Sequence, residues 1–256
     1  LDLATLTEDG DNYTLTMPDA NVTIGATFIE PVSYVDANGQ TAQCNNYTVL
    51  TGGGATTLAG GWYVVKNTNT DPNTDGGIDA KYTGTITLDG DAHIILCDGA
   101  EMSINANGYF INGFDYSWSP NDLSLSIYSQ SLGSDMGKLT VSGTGEDDGI
   151  FVKNLTVNGG NISIDANQYR YAINAAENVI INRGNVSVNA QSNDYITVIS
   201  GHDVTINGGN VTVTGGDEGI NARNNLTING GNVTATGSEY GVGIIAYNDI
   251  TLFNFV

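Results

Sequence analysis

Four segments of this chain are near copies of one another: Leu155-Thr-Val-Asn-Gly-Gly-Asn-Ile-Ser-Ile164, Val179-Ile-Ile-Asn-Arg-Gly-Asn-Val-Ser-Val188, Val204-Thr-Ile-Asn-Gly-Gly-Asn-Val-Thr-Val213 and Leu226-Thr-Ile-Asn-Gly-Gly-Asn-Val-Thr-Ala235. The first Asn of each copy (Asn158, Asn182, Asn207, Asn229) recurs after 24, 25 and 22 residues, and a fifth copy begins at Ile250-Thr-Leu252. A period of this size marks a solenoid, in which a unit buries its apolar face only by stacking on its neighbours. Apolar and polar residues alternate within each copy, Leu155 and Val157 against Thr156, Ile162 and Ile164 against Ser163. Such alternation is the pattern of half-buried strands.

The Asn-Gly-Gly-Asn between the two strands is too short to return the chain on itself as a hairpin, because each strand's partner lies one period away. Pairing is therefore expected to be parallel, coil upon coil, with Gly160, Gly184, Gly209 and Gly231 at corners that need positive φ. A third short apolar run precedes each pair: Gly149–Val152, Tyr171–Asn174, Tyr195–Val198, Gly219–Ala222 and Gly241–Ile245. Three strands per coil predict an all-β chain, a right-handed, three-sided parallel β-helix. Equivalent residues then stack about 4.8 Å apart, and Asn161, Asn185, Asn210 and Asn232 are expected to hydrogen-bond along the axis. The period blurs upstream but continues through Thr85–Leu88, His93–Leu96, Leu123–Ile127 and Lys138–Val141. The coil is expected to begin near residue 45. Residues 1–30 read as a separate small β segment, with two strands around Pro18; 31–44 read as a linker or capping strand at the start of a 31–256 β-helix. An aromatic insertion, Tyr109-Phe-Ile-Asn-Gly-Phe-Asp-Tyr-Ser-Trp118, falls near 108–122.

The net charge of −21 argues against nucleic acid and anionic membrane as partners, since both are held by clustered Lys and Arg, and it attracts cations. No run is long and apolar enough for membrane insertion. The start at Leu1 reads as a trimmed piece of a longer exported protein. Cys44 and Cys97 are either one disulfide or two buried thiols.

Three stretches carry a resemblance. Tyr13 to Phe28 resembles the closing hairpin of internalin-type B-repeats of bacterial surface proteins. His93-Ile-Ile-Leu-Cys-Asp-Gly-Ala100, with Leu125–Ser131 and Gly137–Val141, resembles the opening coils of exported β-helix proteins of gut bacteria. Residues 149–235 resemble the clostridial carbohydrate-binding β-helix family related to polysaccharide lyases. The resemblance implies an extracellular or cell-surface module that holds acidic, uronate-rich polysaccharide with calcium.

The candidate residues follow. Asp71, Asn73 and Asp75 place oxygen at positions 1, 3 and 5 of an EF-hand-like loop with Gly76 at its turn and Asp79 at position 9; Tyr82 stands where the bidentate Glu would be. The alternative is an ordinary Asp/Asn/Pro/Gly turn. Asp147 and Asp148, Asp194, Asp217 and Glu218, and Glu239 form a proposed carboxylate column suited to calcium or simply to solvent, with Arg170 able to neutralise part of it. Tyr169, Tyr171, Tyr195 and Tyr240 near that corner, and Trp118 of the insertion, are the expected sugar-stacking rings. The seven Lys and Arg residues form no cluster there, so the reading leans away from a lyase or hydrolase. The outward Ser/Thr rows (Thr156, Thr205, Thr227; Ser163, Ser187, Thr212, Thr234) would also suit ordered water, although Thr is common on exposed strands. The rival function is a structural spacer or a filament former that self-associates through an open C-terminal coil.

Overall fold

The structure, a computed structural model, describes residues 5–9 and 12–16 as backbone, and residues 29–68, 79–113, 123–144, 148–167, 170–190 and 196–253. The chain divides into two units, Leu1–Glu30 and Pro31–Val256. In the first, Thr5–Asp9 and Asn12–Thr16 pair antiparallel, Thr5 opposite Thr16. The second of the two strands expected around Pro18 lies outside the described residues.

The second unit is a three-sided parallel β-helix with sheets of nine, eight and seven strands, each strand paired with its counterpart one coil away. Its inward positions are ladders of aliphatic side chains. Ile162, Val186 and Val211 stack in the seven-stranded sheet, Val179, Val204 and Leu226 in the nine-stranded sheet, and Ile173, Ile199 and Ile220 in the eight-stranded sheet, all nearly inaccessible. Each such side chain contributes roughly 1.5–3 kcal/mol through burial. Because every coil repeats the pattern, register is fixed by the core itself: a one-residue slip would turn the aliphatic set outward.

The corners behave as the sequence implies. Gly184, Gly209 and Gly231 have φ of 95°, 84° and 87°, and successive corners sit almost in contact. A Cβ on Gly209 would lie 2.5 Å from the Gly184 carbonyl oxygen. On either side of the corner runs an amide ladder. Asn182 donates to Asn158 (2.7 Å), Asn207 to Asn182 (2.7 Å) and Asn229 to Asn207 (2.6 Å). The second ladder, Asn185 to Asn161 (2.7 Å), Asn210 to Asn185 (2.7 Å) and Asn232 to Asn210 (2.8 Å), is the one expected from the repeat.

Residues 31–44 are not a linker. Val32–Val35 and Thr41–Cys44 form an antiparallel hairpin, whose turn is fixed by Asp36 Oδ1 accepting from the N–H groups of Asn38 (2.9 Å) and Gln40 (2.8 Å). Tyr34 packs on Trp62 (centroids 4.7 Å apart) and Tyr128 (5.1 Å), and Trp62 stacks on His93 at 4.7 Å and 25°. The hairpin thus covers part of the outer face of the nine-stranded sheet, where the cluster occupies strands Gly61–Val65, Ala92–Leu96 and Leu125–Ser129. Its tip is held by Arg183, which donates to the carbonyls of Asp36 (3.3 Å) and Ala37 (3.0 Å).

Candidate functional site

Cys44 and Cys97 are two separate buried thiols. Burial raises both above the ordinary thiol value, Cys97 to about 11, which keeps them protonated and poorly nucleophilic.

Of the loop candidates, Asp71, Asn73 and Asp75 lie outside the described residues. Asp79 is described, and both its oxygens are in use: Oδ1 accepts from the Thr68 hydroxyl and N–H (both 2.6 Å), Oδ2 from the Glu101 N–H (2.9 Å). Burial opposes its ionisation, but those hydrogen bonds outweigh burial and hold the carboxyl below its ordinary value.

At the carboxylate corner, Asp147 lies outside the described residues, as do Tyr169, Tyr195 and Trp118. Asp148 and Glu218 do share one ladder position, but Tyr171 and Thr197 stand between them, so they are three coils apart. Asp148 is 1% exposed; Arg170 Nε lies 3.6 Å from its Oδ1 and Asn174 donates to Oδ2 at 2.7 Å. Glu218 accepts from Thr197 (2.9 Å) and, in a short contact of 2.5 Å, from Asn221. Asn174 and Asn221 are themselves buried, and their Oδ1 atoms lack a hydrogen-bond partner. Asp217 follows the left-handed Gly216 and its main-chain N–H donates to the Ile196 carbonyl (2.8 Å). Among the described residues no group of three or more His, Cys, Asp or Glu side chains converges on one point. The tyrosines differ from one another: one face of Tyr171 is covered by Arg170 at 5.1 Å, whereas Tyr240 is 92% exposed with its ring open to solvent. Arg183 and Arg223 both spend their guanidinium groups on main-chain carbonyls, Arg223 on Ala175 (2.7 Å) and Ala176 (2.9 Å).

The outer face of the seven-stranded sheet has a different character. A groove of about 270 Å³ runs across four of its strands, lined by Lys138 and Thr140, Asn161 and Ser163, Asn185 and Ser187, and Asn210 and Thr212, with Ile162 and Val186 contributing at its floor. Strict alternation sends the aliphatic residues of these strands inward and leaves small hydroxyls and amides outward. Ser163, Ser187 and Thr212 are exposed, and their hydroxyls make no hydrogen bond within the described structure. Each Asn side chain carries two N–H donors and a carbonyl with two lone pairs. The ladder consumes one donor and one acceptor per residue, leaving one of each for a ligand.

The sequence shows the hydroxyl row from Ser163 to Thr234. It does not show that the row continues through Thr140 and Ser103, because the period is irregular there and only the strand register reveals the match. It also gives no sign of the groove, since concavity is a property of how whole coils stack.

Residues 127–243, which contain every residue lining this groove, match a family model described as carbohydrate-binding domain-containing protein. That similarity supports a carbohydrate partner for this stretch. No curated protein and no solved structure matches the chain.

Proposed function

We propose that this chain is a non-catalytic carbohydrate-binding module that holds its ligand on the outer face of the seven-stranded sheet. The observation that carries the reading is the open groove lined by unengaged hydroxyls and half-engaged amides. These groups pair with sugar hydroxyls as both donors and acceptors. Hydroxyls and amides carry no group that ionises near neutral pH, which favours holding a sugar over cleaving one. An extracellular or surface setting, where structural glycans lie, suits such a face.

Calcium-assisted binding of an acidic polymer belongs to the corner between the seven- and eight-stranded sheets. Two separate pairs three coils apart, Asp148 with the unpartnered amide oxygen of Asn174 and Glu218 with that of Asn221, each supply hard oxygen donors of the kind calcium takes. A uronate chain facing a protein of charge −21 needs such a bridging cation.

Calorimetric titration against a panel of soluble neutral polysaccharides and polygalacturonate, with calcium and with a chelator, tests both parts. Saturable binding to at least one polymer without release of reducing ends or unsaturated product is expected. Absence of binding to every polymer in both conditions, or turnover of one of them, would overturn the reading. Uronate binding that survives the chelator would remove the calcium part alone.

A spacer or stacking role has one observation in its favour. Val242, Ile250, Leu252 and Phe253 of the last described coil are 49–51% exposed. Sedimentation that shows no self-association at any concentration would exclude it.

A further inference from the structure

The polar face is longer in one direction than in the other. Along a strand it is three outward residues wide, as in Asn185, Ser187 and Asn189. Along the helix axis its central row is unbroken over six coils: Ser103, Thr140, Ser163, Ser187, Thr212 and Thr234, each paired in register with the next. It is flanked on one side by Glu101, Lys138, Asn161, Asn185, Asn210 and Asn232, and on the other by Asn105, Ser142, Asp165, Asn189, Thr214 and Thr236. The groove follows the long direction, since its lining comes from four successive strands.

The nine-stranded sheet provides the contrast. Its outward row of Thr156, Ile180, Thr205, Thr227 and Thr251 is interrupted by an isoleucine, and its strands there are three or four residues long. Outward threonine alone is thus general to this helix. A continuous hydroxyl row with hydrogen-bonding rows on both sides is confined to the seven-stranded sheet among the described residues.

We infer that the ligand of this face is a linear, fully extended, uncharged glycan lying along the helix axis with one sugar per coil. The inference rests on the carbohydrate-binding reading above and specifies its ligand. Coils repeat about every 4.8 Å, close to the advance of one pyranose in an extended chain with equatorial linkages at both ends. Each sugar therefore meets the same set: one hydroxyl beneath it, and over the central coils one free amide N–H and one free carbonyl lone pair beside it. A two-fold alternation of successive sugars is tolerated, because polar rows lie on both sides of the track. A coiled α-linked glucan departs from the axis within a few sugars and loses the register. A uronate chain would bring one carboxylate per coil, whereas the cationic side chains on these rows are Lys81 and Lys138, both towards the first coils, with Glu101 and Asp165 opposing them.

The test is calorimetric titration with neutral β-1,4-linked oligosaccharides of increasing length, beside α-1,4-linked oligosaccharides of equal lengths. Affinity is expected to climb with each added β-linked sugar and to level off near the six-coil length of the row, with the α-linked series weak throughout. Ser187→Lys, an exposed outward substitution that leaves the core untouched, divides the track. It should weaken the six-sugar ligand by roughly tenfold or more, towards the value of a three-sugar ligand in the unaltered protein. Thr227→Lys on the nine-stranded sheet should leave affinity unchanged. Affinity independent of length, equal affinity for the two linkages, or no effect of Ser187→Lys would overturn the inference while the broader reading stands, provided some glycan binds. If no glycan of any class binds, both fall.

Discussion

Arg183 shows how a single departure from a repeat carries information. Three of the four copies read Asn-Gly-Gly-Asn; the second reads Asn-Arg-Gly-Asn. Its guanidinium crosses to the hairpin turn and donates to the Asp36 and Ala37 carbonyls, and it lies against Gly39, where a Cβ would come 2.8 Å from Arg183 Nη2. Charge-assisted hydrogen bonds of this sort stabilise by about 1–2 kcal/mol when partly exposed. Arg183→Gly, which restores the repeat, should therefore lower stability by about that amount and speed amide exchange across the hairpin. Unchanged exchange in the hairpin would show that the clasp contributes nothing. Asn158 and Asn161 illustrate the opposite case. Both recur at one period, so identical amides come to stack and pair; the sequence led to the Asn161 ladder, and the structure adds the Asn158 one.

At the scale of elements, the hairpin is the part of this fold the repeat does not encode. Its strands are too short to be periodic, and its partner rings, Trp62, His93 and Tyr128, are distant in sequence and become neighbours only through coil stacking. His93 sits among them with Nδ1 buried and unpartnered. Burial lowers its affinity for a proton, with nearby Asp91 opposing. The unfolded chain binds that proton near the ordinary value of 6.5, the folded chain only below it. Stability is then fully present above 6.5 and falls as pH drops from there towards the lowered folded value. Denaturation midpoints across that window should fall with pH, and His93→Phe, which keeps a ring against Trp62, should flatten the dependence. An identical slope in the variant would assign it to other groups.

The whole molecule was readable from its sequence to an uneven degree. The three-sided architecture, the positive-φ corners and the Asn161–Asn232 ladder follow from period and alternation, which are local properties repeated often enough to be unambiguous. The binding face was half legible. Ser163, Ser187, Thr212 and Thr234 stand out as a row, yet nothing local distinguishes a ligand face from an ordinary solvated strand. Its extension through Thr140 and Ser103 depends on register across irregular coils. The corner is harder still. Acidic residues at similar repeat positions suggested a column, but coils of unequal length place Tyr171 and Thr197 between Asp148 and Glu218. What stacking of the coils adds is a long polar face on the seven-stranded sheet, with an aromatic clasp on the nine-stranded sheet.

The most direct examination of the central claim is amide chemical-shift mapping during titration with a glycan that binds. Perturbations are predicted to concentrate on Thr140, Ser163, Ser187 and Thr212 and their flanking Asn161, Asn185 and Asn210. Shifts confined to the nine-stranded sheet, to the clasp around Trp62, or to the corner around Asp148 would place the ligand elsewhere and contradict the account.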